Sequence, residues 1–299
     1  MATSMTQDEL LALIDQAAKE DWTKLDLSGK GLTELPPEIS KLTQLETLIL
    51  GKQDLDQKGP EGLEGWRLES GRLVAIVADN ALTSLPKDIR KLTNLKVLDI
   101  SGNAWAELPP VISELSGIQS FAAIQCNLAE IPDTLSELTN LTILNLFNNQ
   151  ITAIPDTLSR LTSLTTLALS SNQITAIPDT LSELTNLTEL YLFNNQITAI
   201  PDTLSRLTNL TILALSSNQI TAIPDTLSRL TNLTTLDLSI NQITAIPDTL
   251  SRLTNLTTLD LSINQITAIP DTLSGLTNLT EIDLDNNKIC DVPESLSNL

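Results

Sequence analysis

Residues 187–209 read LTELYLFNNQITAIPDTLSRLTN, and residues 210–232 read LTILALSSNQITAIPDTLSRLTN. Aligned at Leu187 and Leu210, the two segments agree at every leucine and isoleucine of the repeat pattern and differ only at 189/212, 191/214, 193/216 and 194/217. Self-similarity at a fixed period marks an array of stacked units rather than a chain wrapped around one core. Working outward, the pattern L-x-x-L-x-L-x-x-N-x-I-x-x-I-P-x-x-L-x-x-L-x-x begins at Trp22, Leu45, Arg72, Leu95, Ile118, Leu141, Leu164, Leu187, Leu210, Leu233, Leu256 and Leu279. That makes twelve repeats over 22–299, spaced by 23 residues except for 27 between Leu45 and Arg72.

Each conserved position of the repeat has a physical reason. The L-x-L alternates with period two and predicts a short strand with one face inward. The following Asn (Asn149, Asn172, Asn195, Asn218, Asn241, Asn264, Asn287) ends the strand, and its amide can stack with copies in adjacent repeats. Ile-Pro then fixes φ and removes a ladder donor, which takes the chain off the sheet. Asp-Thr-Leu-Ser-x-Leu is expected to return along the outer side as a 3₁₀ or irregular turn. The predicted fold class is an α/β solenoid, a right-handed horseshoe with a parallel concave β-sheet.

Before the repeats, residues 6–21 predict a capping helix. Thr6 and Glu9 have capping-box spacing, and Leu10, Ile14 and Ala17, extended by Leu13, share one face. Residues 1–5 read as a disordered terminus or an expression remnant. An irregular insertion at 53–71 carries Gly59-Pro60, Gly62, Gly65 and Gly71, with Trp66 as its expected anchor. It is a binding loop or a tolerated insertion.

Composition narrows the chemistry. With 17 basic against 37 acidic residues the formal charge is −20, which repels nucleic-acid backbones and anionic membranes and favours a neutral or basic protein or peptide partner. There is no His, which excludes histidine acid–base chemistry, Ser-His-Asp triads and imidazole metal sites. No cofactor is implied. Cys126 and Cys290 lie seven repeats apart, roughly 30 Å at the strand spacing, too far for a disulfide. Neither a basic leader nor a long apolar stretch is present, and the sequence predicts a cytoplasmic protein. Cys126 takes the Asn position of its repeat and reads as a buried structural thiol. Asn-Leu-Thr at Asn140, Asn186, Asn209, Asn232, Asn255 and Asn278 matches the glycosylation sequon, but all six are copies of one repeat position.

Two candidate binding regions follow from the outward strand positions. Ile143, Asn145 and Phe147, then Glu189, Tyr191 and Phe193, are large, and the intervening repeats place Ala168 and Ser170, then Ala214 and Ser216. The expected site is an exposed aromatic ridge with Phe147 and Phe193 on either side of a floor of Ala168 and Ser170. Asn148 and Asn194 supply polar contacts, and Ile212 extends the apolar margin. The alternation is either a binding surface or the trace of a two-repeat duplication. Asp237, Asp260 and Asp283 fall in one column, about 4.8 Å apart. The column is a solvated acidic surface, a site for a basic partner, or a site for a divalent cation. At the other end of the array, Leu279, Ile282, Leu284, Ile289, Val292 and Leu296 would have an open side. That predicts a truncated chain or end-to-end self-association through the last repeat.

The 23-residue unit with Ile/Leu-Pro-x-x-Leu resembles the intracellular leucine-rich repeats of bacterial, especially cyanobacterial, proteins. Leu25-Asp-Leu-Ser-Gly-Lys-Gly-Leu-Thr-Glu-Leu-Pro, followed by Leu48-Ile-Leu-Gly-Lys and an insertion, is similar to the N-terminal repeats of Roco-type proteins. In that family the repeats precede a Ras-like GTPase domain. The chain departs from that pattern in having no G-x-x-x-x-G-K-[ST]; Ser28-Gly29-Lys30-Gly31 is a fragment inside a repeat. The expected function is a non-catalytic protein-binding scaffold using its concave sheet. The alternative is the recognition arm of a larger signalling protein.

Overall fold

The computed structural model describes residues 4–53, 66–69, 72–75, 77–105 and 107–296. The chain falls into two compact units, Met1–Ile151 and Thr152–Leu299.

The first unit opens with helix α1 (Gln7–Lys19). Thr6 Oγ1 accepts the Glu9 N–H while the Glu9 carboxylate accepts the Thr6 N–H, so the capping box is complete. Leu10, Ile14 and Ala17 are fully buried. Ser4 and Met5, expected in a disordered terminus, are instead tied to the first repeat. The Met5 N–H donates to Lys30 O at 2.8 Å and Ser4 Oγ to Gly31 O at 2.9 Å.

Strands β1 (Lys24–Asp26), β2 (Thr47–Gln53), β6 (Val97–Ile100), β7 (Ser120–Ala122) and β8 (Ile143–Asn145) pair parallel in that order. The repeat counted from Arg72 differs from the others. Strand β4 (Arg72–Ala75) pairs antiparallel with β3 (Trp66–Glu69), and β5 (Val77–Ala78) pairs antiparallel with β2. The parallel ladder therefore passes from Leu48 directly to Leu98. That repeat still keeps its asparagine: Asn80 Oδ1 accepts the Leu32 N–H, and Nδ2 donates to Leu27 O and Leu50 O. Most of the expected insertion, including the side chain of Trp66, lies outside the described residues.

The second unit is regular. Strands β9 (Thr166–Ala168), β10 (Glu189–Tyr191), β11 (Ile212–Ala214), β12 (Thr235–Asp237), β13 (Thr258–Asp260) and β14 (Glu281–Asp283) lie parallel in chain order. Each repeat from Leu164 to Leu256 buries seven aliphatic side chains; for the repeat at Leu233 they are Leu233, Leu236, Leu238, Ile243, Ile246, Leu250 and Leu253. Pro247, extended at φ −72° and ψ 142°, leads into a 3₁₀ turn at Asp248–Arg252, and the pattern recurs in each repeat from Leu164 to Leu256. In the repeat at Leu279, by contrast, Leu279, Ile282, Leu284 and Ile289 are only half-buried, and Val292 is 62% exposed.

The asparagines form the expected ladder. Asn218, Asn241 and Asn264 each donate from Nδ2 to a leucine carbonyl of the preceding repeat and to one of their own. Each also accepts, on Oδ1, an isoleucine N–H from the preceding repeat at 2.9 Å. Cys126 replaces this group once, fully buried, with Sγ 3.5 Å from Ile100 O and from Ile124 O. It has no oxygen to accept the N–H that an asparagine would take, and that donor, Trp105 N–H, turns to Asn103 O instead.

Candidate functional site

Where the chain leaves each strand it passes through a left-handed residue, and this step decides what faces solvent. Asn148, Ser171, Asn194, Ser217, Ile240, Ile263 and Asn286 all have φ between 53° and 56°. The outward residues of a strand are therefore the two at its ends, such as Ile143 and Asn145. The period-two series stops before residue 147.

The exposed ridge expected at Phe147 is corrected by this geometry. Phe147 is buried, at 6% exposure, and its N–H donates to Asn145 Oδ1 at 3.1 Å. Ser170, expected on an open floor, is fully buried and its Oγ accepts the Phe193 N–H at 3.1 Å. Phe193 is half-buried. Asn148 and Asn194 occupy the left-handed turn, where Asn148 Nδ2 donates to Gln125 Oε1 and Asn194 Nδ2 to Ser171 Oγ.

True outward positions hold the rest of the expected residues. Ile143 is exposed, while Asn145, Glu189, Tyr191 and Ile212 are half-buried. Tyr191 stands in register between Ala168 and Ala214, so its ring rises between two small neighbours. Its hydroxyl donates to Glu189 Oε2 at 3.2 Å. Burial first, then the Glu189 charge and this hydrogen bond, raise the phenol above its ordinary range.

Asp237, Asp260 and Asp283 form the expected column, in register on β12, β13 and β14. In the first two, Oδ1 accepts both the N–H and the hydroxyl of the serine two residues on, Ser239 or Ser262. Asp283 Oδ1 accepts the Asp285 N–H. The spacing is that of neighbouring strands, and among the described residues no three Asp, Glu or Cys side chains gather closely enough to hold a metal ion. Over β9 to β14 the outward residues include the carboxylates of Glu189, Asp237, Asp260, Glu281 and Asp283 and no Lys or Arg. The strip is a run of like charges at strand spacing.

One surface feature was missed in the sequence. Ile240 and Ile263 are 46% and 47% exposed, in the left-handed turn directly after the acidic strands. The signal was available: every other copy of that position in this unit is Asn or Ser. The sequon asparagines have a structural task, since Asn186, Asn209, Asn232, Asn255 and Asn278 each donate to a threonine carbonyl of the preceding repeat. Cys126 and Cys290 are both free thiols, and burial pushes the Cys126 thiol up to about 12, which keeps it inert. No helix among the described residues is long and apolar enough to cross a membrane.

Stacked parallel strands, an asparagine ladder and an open polar sheet face define a solenoid repeat protein. The profile described as "Leucine rich repeat" matches residues 125–174, 139–197, 185–243 and 231–289, and the chain belongs to the leucine-rich-repeat family. Comparison with curated protein sequences finds no match. Among solved structures, a leucine-rich-repeat protein of Leptospira interrogans is 28% identical with a TM-score of 0.71, covering 98% of this chain and 78% of its own. The plant peptide hormone receptor RGFR1, solved in complex with RGF2, is 29% identical at a TM-score of 0.75, covering 99% of this chain and 44% of its own. The ectodomain of the Arabidopsis receptor kinase HAESA, in complex with an N-terminally extended IDA peptide hormone, is 29% identical at 0.68, covering 88% and 42%. The chain thus spans less than half the length of these two receptors.

Proposed function

We propose that this chain is a non-catalytic scaffold that binds a neutral to basic protein or peptide on the open face of its sheet. The observation that carries this reading is the composition of that face in the second unit. Five named carboxylates, a tyrosine and exposed aliphatic groups share it with small Thr and Ala residues, and no basic side chain neutralises them. Such a surface attracts basic partners over about a Debye length and offers apolar anchors on contact. Two structural neighbours were solved holding peptides, which supports the same use here. The two free thiols fit a reducing, cytoplasmic setting. The stretch Leu25–Pro36 favours a narrower version, in which the scaffold is the recognition arm of a Roco-type signalling protein. End-to-end pairing through the half-buried side chains of the repeat at Leu279 belongs to the proposal too, and sedimentation at rising concentration tests it.

Affinity capture from the source cell tests the reading. A Tyr191→Lys/Ile212→Lys variant should lose the partners that the unaltered chain holds, with its circular dichroism unchanged. Retention of every partner by the folded variant would contradict it.

A further inference from the structure

We propose that Ile240 and Ile263, with Asp237 and Asp260 beside them, form a docking strip for an extended protein segment that alternates aliphatic and basic side chains. The inference rests on the protein-binding reading above and names the partner's chemistry at one place on the face.

The apolar half of the strip is an exposed pair that the fold does not ask for. Ile240 and Ile263 are neighbours across the ladder, since the Asn241 N–H reaches Ile263 O and the Ile240 N–H reaches Ser262 O. Both have a φ of 53°, a region that β-branched side chains avoid. The same turn carries Gly29, Gly102, Gln125 and Asn148 in the first unit and Ser171, Asn194, Ser217 and Asn286 in the second, none of them β-branched. Duplication of one repeat accounts for there being two isoleucines but not for their chemistry. Asparagine or serine would relieve the backbone and leave less apolar surface in water. Strained residues that leave nearly half of an aliphatic side chain in water are candidates for burying it against something else.

The polar half identifies what covers them. Asp237 and Asp260 lie three residues before the isoleucines, so the two rows run side by side, at most about 10 Å apart. Each carboxylate spends Oδ1 on its serine, and among the described residues Oδ2 has no hydrogen-bond partner. Asp283 continues the negative row on β14, and Glu281 adds a carboxylate in the neighbouring column, in register with Thr258. A segment in extended conformation sends successive side chains to opposite sides. Laid across β12 and β13, it would place one set over the isoleucines and the other against the carboxylates. Aliphatic groups suit the first row, and Lys or Arg the second.

Fluorescence anisotropy on the full chain, with two labelled peptides of equal composition and charge, provides the test. One is Lys-Leu-Lys-Leu-Lys-Leu-Lys and the other Lys-Lys-Lys-Lys-Leu-Leu-Leu. The alternating peptide should bind about tenfold more tightly or better. The Ile240→Asn/Ile263→Asn variant should lose that advantage while melting at the same temperature or higher. Asp237→Asn/Asp260→Asn should weaken both peptides and flatten their salt dependence. Equal binding of the two peptides, absence of binding to the alternating one, or an undiminished advantage in the isoleucine variant would overturn the strip. The broader reading is decided separately, by the capture experiment at Tyr191 and Ile212.

Discussion

The side-chain oxygen of Asn241 accepts the backbone N–H of Ile220, one repeat earlier, at 2.9 Å. The same amide donates to Leu215 O and Leu238 O, so one buried side chain satisfies groups in two repeats. Asn241→Ala leaves the Ile220 donor buried without a partner and should cost about 3 kcal/mol. Asn241→Cys, the replacement found naturally at Cys126, should cost less, because a thiol retains the donor side of the arrangement. Urea midpoints of the two variants check the order, and equal midpoints would contradict it.

Phe147 is buried and Phe193 half-buried, although both hold the same place in their repeats. Phe147→Ala should lower stability by roughly 3 kcal/mol, and Phe193→Ala by clearly less. Denaturant unfolding of each variant measures this. A neutral Phe147→Ala would return that ring to the surface where the sequence had expected it.

This difference shows how far the sequence was legible. Leu233, Leu236, Leu238 and their equivalents were identifiable as core because a fixed spacing repeats them, and the asparagine ladder and capping box were equally plain. The outward residues of β9 to β14 were legible wherever period two holds. Phe147 and Ser170 were misplaced because the alternation was counted past the strand's end, into a turn whose left-handed residue resets it. Ile240 and Ile263 were overlooked for the same reason: the turn that buries one position exposes the next. The repeat at Arg72 keeps the aliphatic spacing only from Val77 onward: Arg72 and Ala75 stand at its first two leucine positions, and there the antiparallel pairing of β3 with β4 and of β2 with β5 replaces the parallel ladder.

Ile240→Asn/Ile263→Asn should raise stability by about 1 kcal/mol or more, since each substitution relieves a left-handed β-branched residue whose side chain is nearly half exposed. Differential scanning calorimetry measures the shift. A fall in melting temperature would mean that the isoleucines pack at home.

Burial raises the Asp99 carboxyl to about 6, against two hydrogen bonds from Ser101, with the nearby Asp26 charge adding to the rise and Lys52 opposing it. Folded Asp99 therefore keeps its proton to higher pH than the unfolded chain does. The corresponding stability is present below about pH 4, the unfolded value, and is lost as pH rises to about 6, by at most about 3 kcal/mol. Asp99→Asn, which can still accept from Ser101, should remove this part of the slope. Urea midpoints at pH 4.5 and 7 compare the two proteins; parallel pH profiles would contradict the assignment.

The central claim is that a protein partner lies on the open sheet face, and site-specific photo-cross-linking in the source cell tests it most directly. A benzophenone side chain replacing Ile212, on β11, should yield a discrete cross-linked protein. The same group replacing Arg229, exposed on the 3₁₀ turn of that repeat, should not. Cross-links from position 229 with none from 212 would contradict the account.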